Sequence, residues 1–240
     1  MPIFALCVKV VSRVKPSRAG LRNTAKVPGQ GWASAAISGW WGGAALVTLD
    51  LVNDLVHRDG AIAGSASMVQ DRRVIEAANR AIAWARREQA LIVHVRVVLA
   101  GDPFDAPAAS PMFGPIIARG ALRANQWGTA FHPDLDVRST DTVLEKRRVS
   151  PFYRTGLAGL LHQHAVGRLV VCGVSTGFAV EAAVRDGHDR DFQMVVLTDA
   201  CAAATAVAQE AALAGPMAHL ATLLTVQQLD TAPTWTPDTA

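Results

Sequence analysis

The stretch at residues 169–184, LVVCGVSTGFAVEAAV, limits the possible folds of this chain more than any other. Its first six residues, Leu169 to Val174, are apolar apart from Gly173, as expected of a strand buried on both faces. Small polar residues then follow at Ser175, Thr176 and Gly177, and Val180, Ala183 and Val184 resume at helical spacing. A strand, a tight turn and a helix in that order aim backbone N–H groups and the positive end of a helix at one place. Open α/β sheets bind ligands at such places, beyond the carboxyl ends of their strands. Many α/β proteins carry a strand–glycine–helix unit with no chemistry, so the turn alone assigns nothing.

The same alternation runs along the chain. Residues 44–50 form a nearly continuous apolar strand ending in Asp50. Residues 68–88 read as one helix, with Val74, Ala78, Ala81 and Ala85 on a single face. Strands follow at 90–99 and 141–146, the second ending in Lys146. Between them lies an excursion, residues 100–141, with five prolines. An irregular segment this long inside a compact domain is usually functional. Its Phe104, Met112, Phe113 and Trp127 suit either a pocket lining or a cover for the sheet edge. Thr155 can cap a helix carrying Leu157, Leu160, Leu161 and His164. Beyond the opening stretch, whose helix runs to about 189, come a strand at 192–199, an Ala-rich helix at 205–219 and a strand at 220–226. Six strands alternating with helices predict an α/β fold: a three-layer Rossmann-like sandwich with a six-stranded parallel sheet and helices on both faces. No repeat and no second core is visible, so residues 44–226 form one domain. Residues 1–43 read as a poorly ordered extension, and 227–240 as a polar tail.

Charge narrows the partners. All six charged residues in 1–49 are basic, whereas the remaining 191 residues hold 17 basic and 20 acidic ones. The pI near 9.0 therefore belongs to the front end. The body shows no basic stripe for nucleic acid. No apolar run reaches the roughly 18 residues that a membrane span needs. Cys7, Cys172 and Cys201 are far apart and odd in number, which points to a reducing, cytoplasmic setting rather than a disulfide framework.

Three strand ends thus bring Asp50, Lys146 and the 173–179 turn toward one edge of the sheet. A carboxylate, an ammonium and a cradle of amide hydrogens suit a hydrolase acting on a small molecule. A buried structural ion pair would draw on the same two side chains. In Ala45-Leu-Val-Thr-Leu-Asp50, His94-Val-Arg-Val97, Gly128-Thr-Ala-Phe-His-Pro133, Lys146-Arg-Arg-Val-Ser-Pro-Phe-Tyr153, Cys172-Gly-Val-Ser-Thr176 and Leu197-Thr-Asp-Ala-Cys201, the chain resembles the isochorismatase-like, or cysteine, hydrolases. The blocks lie in that family's order and at its spacing.

The resemblance implies a catalytic triad. The family's aspartate falls on Asp50, its lysine on Lys146 and its nucleophilic cysteine on Ala179. It implies a cis peptide at Val174–Ser175, with the Ser175 and Ala179 N–H groups facing one oxyanion. It implies a homo-oligomer and a small-molecule substrate, with no cofactor. The Asp-x-His pair through which nicotinamidases in the family hold a metal has no counterpart in the region 97–103, so no metal is expected. Neighbourhood to the motifs places Trp127, Phe152 and Phe178 near the substrate. Arg96 and Arg148 suit a substrate carboxylate or structural salt bridges, and Asp199 reads as structural.

Alanine has no nucleophile, and three readings follow. The enzyme works without a cysteine, with Asp50 as acid or base and Lys146 as its charge partner, on a carbonyl, amide, ureido or enol-ether compound. Alternatively, alanine replaces the cysteine of an amidase by engineering. In the third reading the chain is a silent relative that binds a small molecule.

Overall fold

The computed structural model describes residues 43–100 and 109–231. The expected extension at 1–43 lies outside the described residues up to Gly43, as do Phe104 and the tail beyond 231. In chain order the elements are β1 (Gly43–Leu49), α1 (Asn53–Val56), α2 (Ala66–Asp71), α3 (Val74–Arg87), β2 (Leu91–Val97), α4 (Phe113–Ala118), β3 (Thr142–Lys146), α5 (Leu157–Gln163), β4 (Val166–Val174), α6 (Glu181–His188), β5 (Gln193–Ala202), α7 (Ala206–Ala214), α8 (Met217–Leu220), β6 (Thr222–Leu224) and α9 (Val226–Thr231).

The six strands form one parallel sheet in the order β3-β2-β1-β4-β5-β6. Residues Ala45 to Leu49 of β1 and Leu169 to Cys172 of β4 are completely buried. Successive strand side chains point to opposite faces, so unbroken burial requires cover on both. Two sets of helices provide it: α3 touches both α2 and α9, and α8 touches both α6 and α7. The α/β sandwich expected from the alternation is the fold observed.

Several boundaries differ from the expected ones. The helix predicted at 68–88 breaks between α2 and α3, where Arg73 adopts φ 53°. The neighbouring Arg72 guanidinium donates to the carbonyls of Thr198 (2.8 Å) and Cys201 (3.2 Å), tying this corner to β5. The helix predicted at 205–219 is two, because Gly215 and Pro216 intervene and proline cannot continue a helical ladder. The last strand is only Thr222–Leu224. The polar tail predicted from 227 begins instead as α9, which buries Val226 and Leu229.

The described part of the excursion is ordered around its own small core of Val52, Val97, Leu99, Phe113, Ala121 and Leu122. The buried Asp54 stitches it to α1. Its carboxylate accepts the Leu122 N–H at 2.7 Å and the Ala61 N–H at 3.2 Å. Phe131 pairs with Val52 in an isolated antiparallel bridge, which brings the excursion beside the end of β1.

Candidate active site

From β1 the sheet grows through β2 to β3, and from β4 it grows the other way through β5 to β6. The β1/β4 boundary is therefore the switch point at which open α/β sheets leave a ligand crevice. Leu49 is paired with Gly173, so Asp50 leaves the sheet beside Val174, the last residue of β4. Gly173 has φ 125°, and a Cβ there would lie 2.1 Å from the Leu49 carbonyl oxygen. Only glycine allows the two strands to end this closely.

Asp50 adopts φ 57°, and its N–H donates to the Val95 carbonyl at 2.8 Å. Lys146, the last residue of β3, reaches past the end of β2 and places Nζ 2.7 Å from Asp50 Oδ2. Both side chains are buried, with 6% of Asp50 and 1% of Lys146 exposed. Lys146 Nζ also donates to the Val149 carbonyl at 2.6 Å. The other oxygen, Asp50 Oδ1, is buried and has no hydrogen-bond partner among the described residues. Burial pushes the Asp50 carboxyl above its ordinary pKa, against the opposing pull of the Lys146 charge. The pair thus holds one carboxylate oxygen on Lys146 and leaves the other buried and unpartnered, with the carboxyl's affinity for a proton raised.

On the other side of the switch point, the Val174–Ser175 peptide is cis, as the family resemblance implies. Residues Thr176–Val180 form a single wide helical turn leading into α6. The Ser175 carbonyl accepts the N–H groups of Phe178 (3.0 Å) and Val180 (3.3 Å). Ala179 is buried at 3% exposure, so its methyl faces packed protein or the crevice rather than bulk water. Cys172 and Cys201 are completely buried, and burial pushes the Cys201 thiol up to about 12 and the Cys172 thiol well above its ordinary value. Neither thiol is a nucleophile at neutral pH.

The remaining candidates separate. Trp127 and Phe178 are about half exposed. The Trp127 carbonyl accepts from Asn53 Nδ2 at 2.9 Å, and its ring meets His57 edge-on at 5.1 Å between centroids. Phe152 is instead a core residue, 6% exposed, stacked on Phe192 with Arg190 over its ring. Arg96 pairs with Glu145 at 2.7 Å. Arg148 lies over the rings of Phe113 and Tyr153. His132 Nδ1 accepts the Asp134 N–H at 3.3 Å, which fixes a local turn. Asp199 accepts the Val226 N–H at 3.0 Å, in keeping with a structural role.

Two residues beside the site escaped the sequence reading. Asn53, three positions after Asp50, is buried with Oδ1 unpartnered among the described residues. Its only signal was its distance along the chain from Asp50. Gln209 bonds Thr176 inside the turn and had no signal beyond being polar in an Ala-rich helix.

Comparison with known proteins matches this geometry to a family. The profile of the isochorismatase domain matches residues 44–228. A ureidoacrylate amidohydrolase of Acinetobacter baylyi is 34% identical over 88 residues, spanning 37% of this chain and about a third (34%) of that protein. The corresponding protein of Klebsiella pneumoniae is 29% identical over 193 residues, covering 70% of this chain and 78% of its own length. Among solved structures, an isochorismatase family protein of Desulfovibrio vulgaris superposes with a TM-score of 0.70 at 26% identity, over 78% of this chain and 96% of its own. None of the helices among the described residues is long and apolar enough to cross a membrane.

Proposed function

The chain belongs to the isochorismatase family of hydrolases, and from that membership we propose that it hydrolyses the C–N bond of a small amide or ureido compound without a cysteine nucleophile. The observation that carries this reading is the buried Asp50–Lys146 pair at the sheet's switch point, with Asp50 Oδ1 unpartnered among the described residues. The amidohydrolase names of two relatives support an amide or ureido substrate over an enol ether.

In this mechanism water takes the part of the missing thiol. Asp50 Oδ1 accepts a proton from water as its oxygen attacks the substrate carbonyl. Lys146 holds the carboxylate in place and keeps it from turning away. The Ser175 and Ala179 N–H groups receive the oxyanion of the tetrahedral intermediate. Asp50 then returns the proton to the departing nitrogen, and the C–N bond breaks. Trp127 and Phe178 flank the entrance. In this reading the attacking water stands where the sulfur of a cysteine at position 179 would act.

The test is turnover of a panel of small amides and ureas. Asp50→Asn should lower kcat/KM at least about 100-fold, the lower range of general-base catalysis. Activity should fall as pH drops through an Asp50 pKa lying above the usual carboxylate value of about 4. Unchanged activity in Asp50→Asn overturns the reading. Ala179 itself favours a second reading, in which the chain binds a small carbonyl compound without converting it. Stabilisation by amides with no turnover, together with amidase activity appearing only in Ala179→Cys, selects that reading or a parent amidase whose cysteine was replaced.

A further inference from the structure

The turn that follows β4 is fastened from outside by one buried amide. Gln209 lies in α7 with only 4% of its surface exposed, and it is one of two residues that this helix buries, with Ala212. Its Oε1 accepts two hydrogen bonds. One comes from Thr176 Oγ1 at 2.6 Å and the other from the Ala203 N–H at 2.8 Å. Two donors aimed at one atom fix the amide orientation, because only the oxygen can accept both. The Nε2 side faces the Cys201 carbonyl at 3.5 Å. Thr176 is completely buried and is the residue immediately after Ser175. One side chain therefore joins the first residue of the turn to the end of β5.

Apart from Gln209, α7 meets the core through the apolar side chains of Ala212 and Leu213. Its outward side is mostly alanine, and Val207 is 78% exposed. The Thr205 hydroxyl caps the helix start by accepting the Ala208 N–H at 3.1 Å. The helix touches the turn at residues 176–180. An apolar residue at 209 would leave the Thr176 hydroxyl and the Ala203 N–H buried without partners, a loss greater than that of the bonds alone.

We propose that Gln209 is a positioning residue: through the Thr176 hydroxyl it holds the Ser175–Ala179 turn in the shape that presents its N–H groups to the substrate. This rests on the reading of the turn as the oxyanion cradle. The holding itself can be measured without any substrate.

The experiment is hydrogen exchange resolved to single amides, on the full chain and on Gln209→Met, Gln209→Glu and Thr176→Val. The reporters are the Phe178 and Val180 N–H groups, both bonded to the Ser175 carbonyl. The internal reference is the set of amides of Leu169 to Val171 in β4. Gln209→Met should speed exchange at the two turn amides about tenfold relative to the β4 amides. Thr176→Val should do the same, and the double variant should add little, because both remove one bond. Gln209→Glu keeps an acceptor oxygen in either protonation state and should retain the parent's ratio. Where turnover is found, Gln209→Met should lower kcat with KM nearly unchanged. Equal acceleration of turn and β4 amides would mean that Gln209 is merely structural and would overturn the proposal. So would an unchanged ratio in Gln209→Met or Thr176→Val, or loss of the ratio in Gln209→Glu. Absence of turnover in the parent chain bears on the proposed activity and leaves the exchange result standing.

Discussion

Removing one member of a buried ion pair strands the other, but Asp50 and Lys146 differ in how they can escape. A carboxylate left alone in an apolar place takes up a proton and becomes neutral. A stranded ammonium keeps only the Val149 carbonyl. Lys146→Met should therefore destabilise the fold by about 3 kcal/mol at pH 8 and by less at pH 5, because acid favours the neutral form of a carboxyl that burial already pushes upward. Asp50→Asn should cost a similar amount with little change over that range. The double variant Asp50→Asn/Lys146→Met should recover part of the loss, since no unpaired charge remains. Denaturant unfolding at the two pH values checks all three. An additive double variant would show that the two charges do not depend on each other. Asp50 was legible in the sequence because it closes an apolar strand run with a charge, and Lys146 because it stands at the end of a short strand and in a motif block. Asn53 and Gln209 were not, since burial makes them important and a lone amide in a sequence carries no sign of burial. Phe152 had motif proximity in its favour, and the stacking on Phe192 that places it in the core joins residues forty positions apart.

Among the elements, the β4 turn depends on one residue for its geometry. Gly173 sits where a side chain would collide with the Leu49 carbonyl, at a φ that L-residues rarely adopt. Gly173→Ala must open the β1/β4 pairing at the point where Asp50 leaves the sheet. The expected cost is more than about 2 kcal/mol, in the range of backbone-incompatible substitutions. Any turnover should fall with it, because Asp50 and the turn would lose their common frame. Thermal unfolding together with turnover checks this, and an alanine variant of parental stability would refute the packing argument. The strands and their order of appearance were readable from apolar runs, and the strand–turn–helix unit from its glycine and small polar residues. The break at Arg72–Arg73 was not, because an arginine at positive φ leaves no compositional trace. The break at Gly215–Pro216 was written plainly in the sequence, but the alanine run around it hid the signal. The helix at 226–231 looked like tail because it buries only two side chains.

At the scale of the whole molecule, one polar network ties the helical layer to the sheet and sets how the fold responds to acid. His94, completely buried in β2, bonds the Thr48 hydroxyl through Nδ1 at 2.8 Å and meets Asp141 through Nε2 at 3.3 Å. Asp141 in turn accepts from both terminal guanidinium nitrogens of Arg86, in α3, at 2.8 and 2.9 Å. Burial lowers the His94 pKa, and the attraction of Asp141 only partly offsets it. For Asp141 burial pushes upward, but the bonds from Arg86, the Arg138 N–H and His94 prevail and hold its carboxyl far below the ordinary value. Both shifts act in the same direction. Below about pH 6.5 the unfolded chain protonates at position 94 while the folded chain resists, so stability falls as pH drops. Below about pH 4 the unfolded chain also protonates at position 141, and the stabilisation from the depressed carboxyl is lost in turn. The melting temperature should therefore be level between about pH 7 and 8, decline from about pH 6.5, and decline more steeply below pH 4. His94→Gln removes the first proton and should flatten the decline between pH 6.5 and 4.5, while the steep acid limb remains because Arg86 still holds Asp141. A Tm profile that His94→Gln leaves unchanged in that interval would place the acid sensitivity in other groups and detach the network from the stability of the fold.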